Sequence, residues 1–517
     1  MTPSFVQGNR KNPKKAASAP PANPFNEELF AVIRRILMIS VAFLLLQPTV
    51  WPDTPQPTLS PGRPNVLFIA VDDLRPQLSC FGKPFMKTPN FDTLARRSVL
   101  FERSYCMVPT CGASRASLMT GLRPTPRRFV SYTARADKEA PQAVTLNTHF
   151  KHNGYTTISL GKVFHFADDN LDGWSEKPWR SSAGQYRDQA AERKAIKEHR
   201  AKYPARKTVR GLPYESFDAP DQDYADAQTA SKAIEHLQQF GESKTPFFLA
   251  VGFLKPHLPF CAPKQYWDLY DYESIDIPSN YGPPSGAPKG AVHTSGELRA
   301  YAGIPPQGPV DRETARHLIH GYYACVSFID AQLGRLLASL DETGLSDNTI
   351  VVLWGDHGWQ LGEHGMWNKH SCFETSMHAP LFVSAPASVV GIRPGTRTRA
   401  LTEFIDIYPS LCELSGIEPP QHLEGQSFVP LMRDPALPGK PYAVGRFTVG
   451  DTIRTDNYRY SEYRDDRGAG ELTGRMLYDQ RTDPDENTNT VDHASNASTV
   501  TVLSRDLNQA KGKTDEH

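Results

Sequence analysis

The chain has 517 residues, about twice the length at which a single hydrophobic core stops growing, so one large domain with a smaller companion is expected. Its 39% apolar and 22% charged residues are those of a soluble globular protein and exclude a largely disordered or membrane-spanning one. Lys plus Arg and Asp plus Glu balance at 57 each, which gives no reason to expect a nucleic-acid partner.

Residues 1–28 are rich in Pro, Lys, Asn and Ala without a hydrophobic period and read as a disordered, basic N-terminus. Arg34-Arg35 and the apolar run ILMISVAFLLL (36–46) come next. Eleven residues are too few to cross a bilayer core but suit the apolar part of a secretory signal behind a basic flank. The expectation is export, to a periplasm or outside the cell, with transient membrane contact through this segment. A short uncleaved anchor is the alternative. The Pro-rich stretch 47–64 reads as a linker, so residues 1–61 are set apart from a catalytic domain over 62–435, a smaller subdomain over 436–505 and a polar tail over 506–517, with the residues after about 492 reading as polar tail or as a terminal helix.

Four short apolar runs have the length and composition of strands buried on both faces: VLFIAV (66–71), YTTISL (155–160), FFLAVGF (247–253) and TIVVLW (349–354). Helical patterns separate them. The clearest lies between Arg312 and Leu340, where Val326, Ile329, Leu333, Leu336, Leu337 and Leu340 recur mostly at spacings of three and four, and Gly344 ends it. Strands alternating with helices indicate an α/β domain around a mostly parallel sheet. Beyond residue 441 the texture changes: 446–463 alternates polar and apolar residues as an antiparallel hairpin, and MLYDQRTDPDEN adds a strand and a turn, together a small α+β subdomain.

Each of the four runs ends in residues that carry chemistry. VLFIAV leads into Asp72-Asp73, YTTISL into Gly161-Lys162 and His165, FFLAVGF into Lys255-Pro256-His257, and TIVVLW into Gly355-Asp356-His357. Open α/β sheets bind ligands beyond the carboxyl ends of their strands, so four strand ends deliver carboxylates, lysines and histidines to one edge. Asp72, Asp73, Asp356 and His357 together suit a divalent cation, and three carboxylates without a thiolate favour calcium over zinc. The seven cysteines at 80, 106, 111, 261, 325, 372 and 412 form no CxxC pair, which excludes a zinc ribbon. With Cys111 set aside, the other six either pair or stay buried as small hydrophobes.

The segment PTCGASRASLMTGLRP (109–124) resembles the sulfatase signature C-x-P-S-R and its L-T-G-R-like continuation, matched by Cys111, Ser114, Arg115, Thr120-Gly121 and Arg123. Ala113 stands where most members have Pro, and Leu122 interrupts the T-G-R triplet. The D-D pair, G-K-x-x-H, K-P-H and D-H-G elements occur in the family's order. LGKVFH, GFLKPHLPF, DHGWQLGEHGMWNK and HAP (378–380) are similar to the iduronate-2-sulfatase branch, and the likeness spans roughly 62–490.

This resemblance implies an alkaline-phosphatase-like sandwich with a large, mostly parallel central sheet and a smaller C-terminal subdomain with an antiparallel sheet. It implies a sulfatase acting on a sulfated sugar or polysaccharide. Cys111 would be oxidised to formylglycine by a maturation enzyme, its hydrate attacking sulfur to give a covalent sulfo-enzyme. One Ca2+ per subunit would be held by Asp72, Asp73, Asp356, His357 and residue 111. Arg115 would hold the formylglycine, Lys162 and His165 would flank it, and His257 and Lys369 would face the sulfate and the departing oxygen. Two further readings are a phosphodiesterase or phosphonate monoester hydrolase of the same superfold and an inactive carbohydrate-binding relative. His364, His370 and His378 take structural or substrate-shaping roles, and Trp359 and Trp367 either stack on a sugar or anchor loops. The insertion 172–222 and the Pro/Gly-rich stretch 278–310 are expected to wall the pocket.

Overall fold

All four apolar runs become neighbouring strands. They are β1 (Asn65–Val71), β3 (Thr156–Gly161), β4 (Phe247–Phe253) and β5 (Thr349–Gly355), joined by the shorter β2 (Val99–Phe101), β6 (Leu381–Ser384) and β7 (Thr396–Thr398). The seven-stranded sheet has the order β7-β2-β6-β5-β1-β4-β3, and β6 alone runs antiparallel to its neighbours. This is a computed structural model describing residues 63–512 except 207 and 390. The basic N-terminus, the signal-like run and all but the last two residues of the linker lie outside the described residues.

Alternation along β1 divides the core in two. Leu67, Ile69 and Val71 join the cluster under the helices α3 (Ala225–Ser243) and α4 (Arg312–Glu342), whereas Val66, Phe68 and Ala70 face α1 (Cys111–Thr120). Phe68 lies 5.6 Å from Phe248 and 5.7 Å from Trp354 between ring centroids, tying β1 to β4 and β5. Each such buried ring stabilises the sheet by about 1.5–3 kcal/mol. Asp311 caps α4, accepting from the Thr314 amide at 2.9 Å, and Gly344 closes its far end at φ 67°. A further helix, α2 (Gln189–Lys202), rises within the first insertion.

The C-terminal sheet is a four-stranded antiparallel meander of β8 (Ala443–Phe447), β9 (Gly450–Arg454), β10 (Tyr458–Arg464) and β11 (Leu472–Asp479). On it lies α5 (Ala497–Gly512), which buries Val500, Leu503 and Leu507 against Ile453, Tyr460 and Leu477. Of the two expectations for the end of the chain the terminal helix holds, and the polar-tail boundary at 506 is corrected: the helix continues through that point, because Leu507 completes its apolar stripe one turn beyond Leu503. Glu374 anchors this sheet to the larger one, accepting from Arg454 Nε at 3.0 Å, from Arg459 and from the Tyr105 hydroxyl at 2.8 Å. Glu486 completes the cluster through Arg459 Nε and the Glu374 amide, each at 2.8 Å.

All seven cysteines are buried and unpaired, so the open choice between pairing and burial falls to burial. Among the described residues no helix is long and apolar enough to cross a membrane.

Candidate active site

The four strand ends converge as their order in the sheet requires. Gly161 and Gly252 allow the closest approach: a Cβ on Gly252 would lie 2.1 Å from the Lys162 carbonyl carbon. The two chains instead pack backbone to backbone, with the Lys162 amide donating to the Gly252 carbonyl at 2.8 Å. That brings Lys162 over β1, where its ammonium pairs with Asp72. Asp73 turns into the left-handed region at φ 61°, unusual for a residue with a side chain and a form of strain that clusters at functional sites.

Arg115, one helical turn after Cys111, is fully buried and holds three strand ends at once. Its Nε donates to Asp356 at 2.9 Å, its Nη2 to Asp72 at 3.1 Å, and its Nη1 to the Lys162 and Val163 carbonyls. Asp73 has its own cation, Lys369, at 3.0 and 3.2 Å to its two oxygens. The Asp73 amide donates to Asp356 at 2.9 Å. Lys369 sits 4.8 Å over the Trp359 ring.

Burial alone would raise the Asp72 carboxyl, but Lys162, then His257 and Arg115, hold it well below the usual range. Burial prevails at Asp73, which is raised despite His257 and Lys369, with Asp72 adding repulsion. Burial and then the Asp72 charge also push the Cys111 thiol upward, so the sulfur is held as thiol rather than as a reactive thiolate.

The geometry at His357 bears on a metal. Nδ1 lies 2.9 Å from the Gly358 carbonyl and donates to it, which leaves Nε2 facing Asp73 Oδ1 and Asp356 Oδ2, each 3.5 Å away, and Cys111 Sγ at 3.4 Å. A proton or a metal cation at Nε2 makes this approach to two carboxylates attractive, and an imidazole fixed by its other nitrogen is the usual arrangement of a metal ligand. Ligand atoms of Asp72, Asp73, Cys111 and His257 lie within 4.8 Å of one another, as do those of Cys111, Asp356 and His357. Mostly oxygen donors in a buried cup suit a hard divalent cation.

His257 Nε2 is 3.1 Å from Glu297 and 3.8 Å from Asp73. Burial would depress its pKa, but Asp73 in particular raises it to about 10. His165 stands apart from the other residues the sequence motifs single out. It makes no hydrogen bond to them, its buried Nδ1 has no partner, and burial, reinforced by Lys162, lowers its pKa to about 3.

No motif in the sequence singles out Glu297. It bridges Lys369 at 3.0 Å and His257 at 3.1 Å, and its carboxyl is held well below the usual range: burial opposes this, but Lys369 and His257 outweigh it. One signal is present, since Glu297 is the only acidic residue between Asp276 and Asp311. Lys255 turns away from the site and pins its loop through the His257 and Pro259 carbonyls at 3.0 and 2.6 Å. Arg123 likewise forms a buried fork on Glu403 and ties down the end of α1. Trp359 and Trp367 are buried and serve as anchors, not as sugar platforms.

An alkaline-phosphatase-like α/β sheet with a carboxylate-lined cup at its carboxyl edge defines a class of ester-hydrolase folds. The sulfatase family pattern matches residues 64–417, and "N-sulphoglucosamine sulphohydrolase, C-terminal" matches 362–513. The chain belongs to the sulfatase family. It is 33% identical to human iduronate 2-sulfatase over 77% of this chain and 84% of that protein. It is 34% identical to a sulfatase of Formosa agariphila over 82% of each chain. The fold superposes at TM-score 0.69 on a protein solved with its substrate D-glucosamine-2-N,6-O-disulfate, at 20% identity over 88% of this chain and 99% of that one.

Proposed function

We propose that the protein hydrolyses sulfate esters of a sulfated carbohydrate, in the manner its likeness to iduronate 2-sulfatase suggests. The carrying observation is the buried cup where His357 Nε2, the Asp73 and Asp356 carboxylates and residue 111 meet. Asp72, Asp73, Asp356, His357 and residue 111 would hold Ca2+, which supplies Lewis acidity toward an oxygen at the site. Formylglycine at position 111, made from Cys111 by a maturation enzyme, would supply the oxygen nucleophile that a buried thiol does not.

The remaining side chains have their own tasks. Arg115 fixes the carboxylates and the start of α1, and Lys162 balances Asp72. Lys369 and His257 present positive charge to the sulfate oxygens, and His257 is poised to give its Nε2 proton to the leaving oxygen. His165, kept neutral by burial and by Lys162, would be the base that the family likeness assigns to it. Export through the signal-like segment belongs to the same reading.

The test joins peptide mass spectrometry across residue 111 with rates on sulfated sugars, aryl sulfates and phosphonate monoesters. Formylglycine with sulfate esters turned over fastest supports the proposal. Unmodified thiol in fully active enzyme would sink the nucleophile, and faster phosphonate turnover would move the activity to the phosphonate hydrolases.

A further inference from the structure

The two insertions expected to wall the pocket form a single structure. α2 and the chain around it supply Tyr186, Val209 and Arg210, and the stretch after 278 supplies Tyr301; between them lies a cleft of about 640 Å³ that reaches His257. A backbone seam joins the walls: the Arg210 amide donates to the Ala300 carbonyl at 2.7 Å, and the Ala302 amide donates to the Arg210 carbonyl at 3.2 Å. Tyr186 is fixed too. Its hydroxyl donates to the Leu212 carbonyl at 2.6 Å, and its ring lies so close to Gly211 that a Cβ there would come within 2.6 Å.

On this rigid wall Arg210 is largely unspent. Its guanidinium carbon lies 5.4 Å from the Tyr301 ring centroid, and its side-chain hydrogen bond is a long one, 3.4 Å to the Tyr301 hydroxyl. A guanidinium carries five N–H donors in a planar fork, so most remain free for an anion. The side chain is exposed, and among the described residues lining the cleft Arg210 is the one lysine or arginine. It also lies within electrostatic reach of Glu297, which bridges His257 and Lys369.

We propose that this cleft is a second anion subsite, in which Arg210, stacked on Tyr301, reads a carboxylate or second sulfate on the sugar whose ester is cleaved beside His257. The nature of the cleaved group rests on the sulfatase reading; the anion at Arg210 rests on the geometry of the cleft. The substrate class is thereby narrowed to sugars that are at least dianionic.

The experiment uses the full chain, metal-loaded, as wild type, Arg210→Ala and Arg210→Lys, with melting temperatures as a folding control. Steady-state rates are measured on an aryl sulfate, a sulfated uronate disaccharide and a hexosamine disulfate. Arg210→Ala should raise KM for a dianionic sugar about 10- to 100-fold more than for the aryl sulfate, with Arg210→Lys between. The sugar showing the larger penalty identifies carboxylate or second sulfate as the group read. Equal penalties on all three substrates would overturn the subsite. Calorimetric binding of the same sugars to Cys111→Ala, with and without Arg210→Ala, keeps the two readings separable. Binding weakened by loss of Arg210 upholds the subsite even if no sulfate ester is hydrolysed, and unchanged binding removes it even if hydrolysis is fast.

Discussion

Two buried charge clusters lie in this molecule and differ in kind. Around Glu374, every acceptor has a donor turned toward it: Arg454, Arg459 and Tyr105 converge on one carboxylate, and Glu486 lies 2.8 Å from Arg459 Nε. Around Asp72, Asp73 and Asp356, the cations Arg115, Lys162 and Lys369 pair with the carboxylates, while His357 Nε2 and Cys111 Sγ meet 3.4 Å apart beside them. The first cluster is closed and joins two sheets. In the second, a histidine nitrogen and a cysteine sulfur meet at the carboxylates as well as the cations, and that difference separates a structural ion network from a reactive one.

The sharpest way to break the comparison is at residue 111. Cys111→Ser in a host unable to oxidise serine should lower kcat about 10⁴-fold or more while the melting temperature holds, measured by turnover and calorimetry together. Chelation comes next. Removing the divalent ion should abolish turnover and lower the melting temperature, because an ion that binds only the folded state stabilises it. Calcium should restore both, and an unaltered melting curve after exhaustive chelation would argue against an ion in the cup.

Glu374→Gln should act the opposite way, costing about 3–5 kcal/mol of stability by leaving buried arginines unpaired, with kcat little changed. Its pH dependence has a definite sign. Burial opposes ionisation of Glu374, but Arg454 and Arg459 hold its carboxyl far below the usual range. Its contribution is therefore complete above an unfolded pKa of about 4.3 and is lost as the pH falls below it. Melting temperatures between neutral pH and pH 3 should fall less steeply for Glu374→Gln than for wild type. The smallest effect is expected at Glu297. Glu297→Gln should lower kcat about tenfold with a minor change in stability, by releasing His257 and Lys369 from a shared carboxylate. An unchanged kcat would make Glu297 a bystander.

Much of this arrangement is legible in the sequence because its chemistry sits at the ends of long strands. Asp72-Asp73, Lys162, His257 and Asp356-His357 each come after an apolar run that a single window can recognise. Val99–Phe101, Leu381–Ser384 and Thr396–Thr398 are too short to show a period, so the outer half of the sheet is invisible until the chain is folded. Glu297 and Arg210 escape for another reason. Both stand in irregular backbone, where no pattern in the chain says which way a side chain points, and only the seam between Arg210 and residues 300–302 brings Arg210 to the cleft that reaches His257. Leu507 shows the same limit at a boundary: one apolar residue in a polar stretch extends a helix that composition alone ends too early.

The pairing of β1 with β4 and β5 has a consequence in time. Asn65 lies beside Thr349, and His357 is 246 residues beyond Cys111, so the cup cannot close until most of the chain exists. At about 5–20 residues per second, synthesis of that interval takes roughly 10–50 s. Throughout it the thiol that ends only 2% exposed has no lid above it. Under the proposed maturation of Cys111, synthesis itself would set a clock for the enzyme that oxidises it, and variants that speed or delay the docking of Thr349–Gly355 would change how much formylglycine is found at position 111.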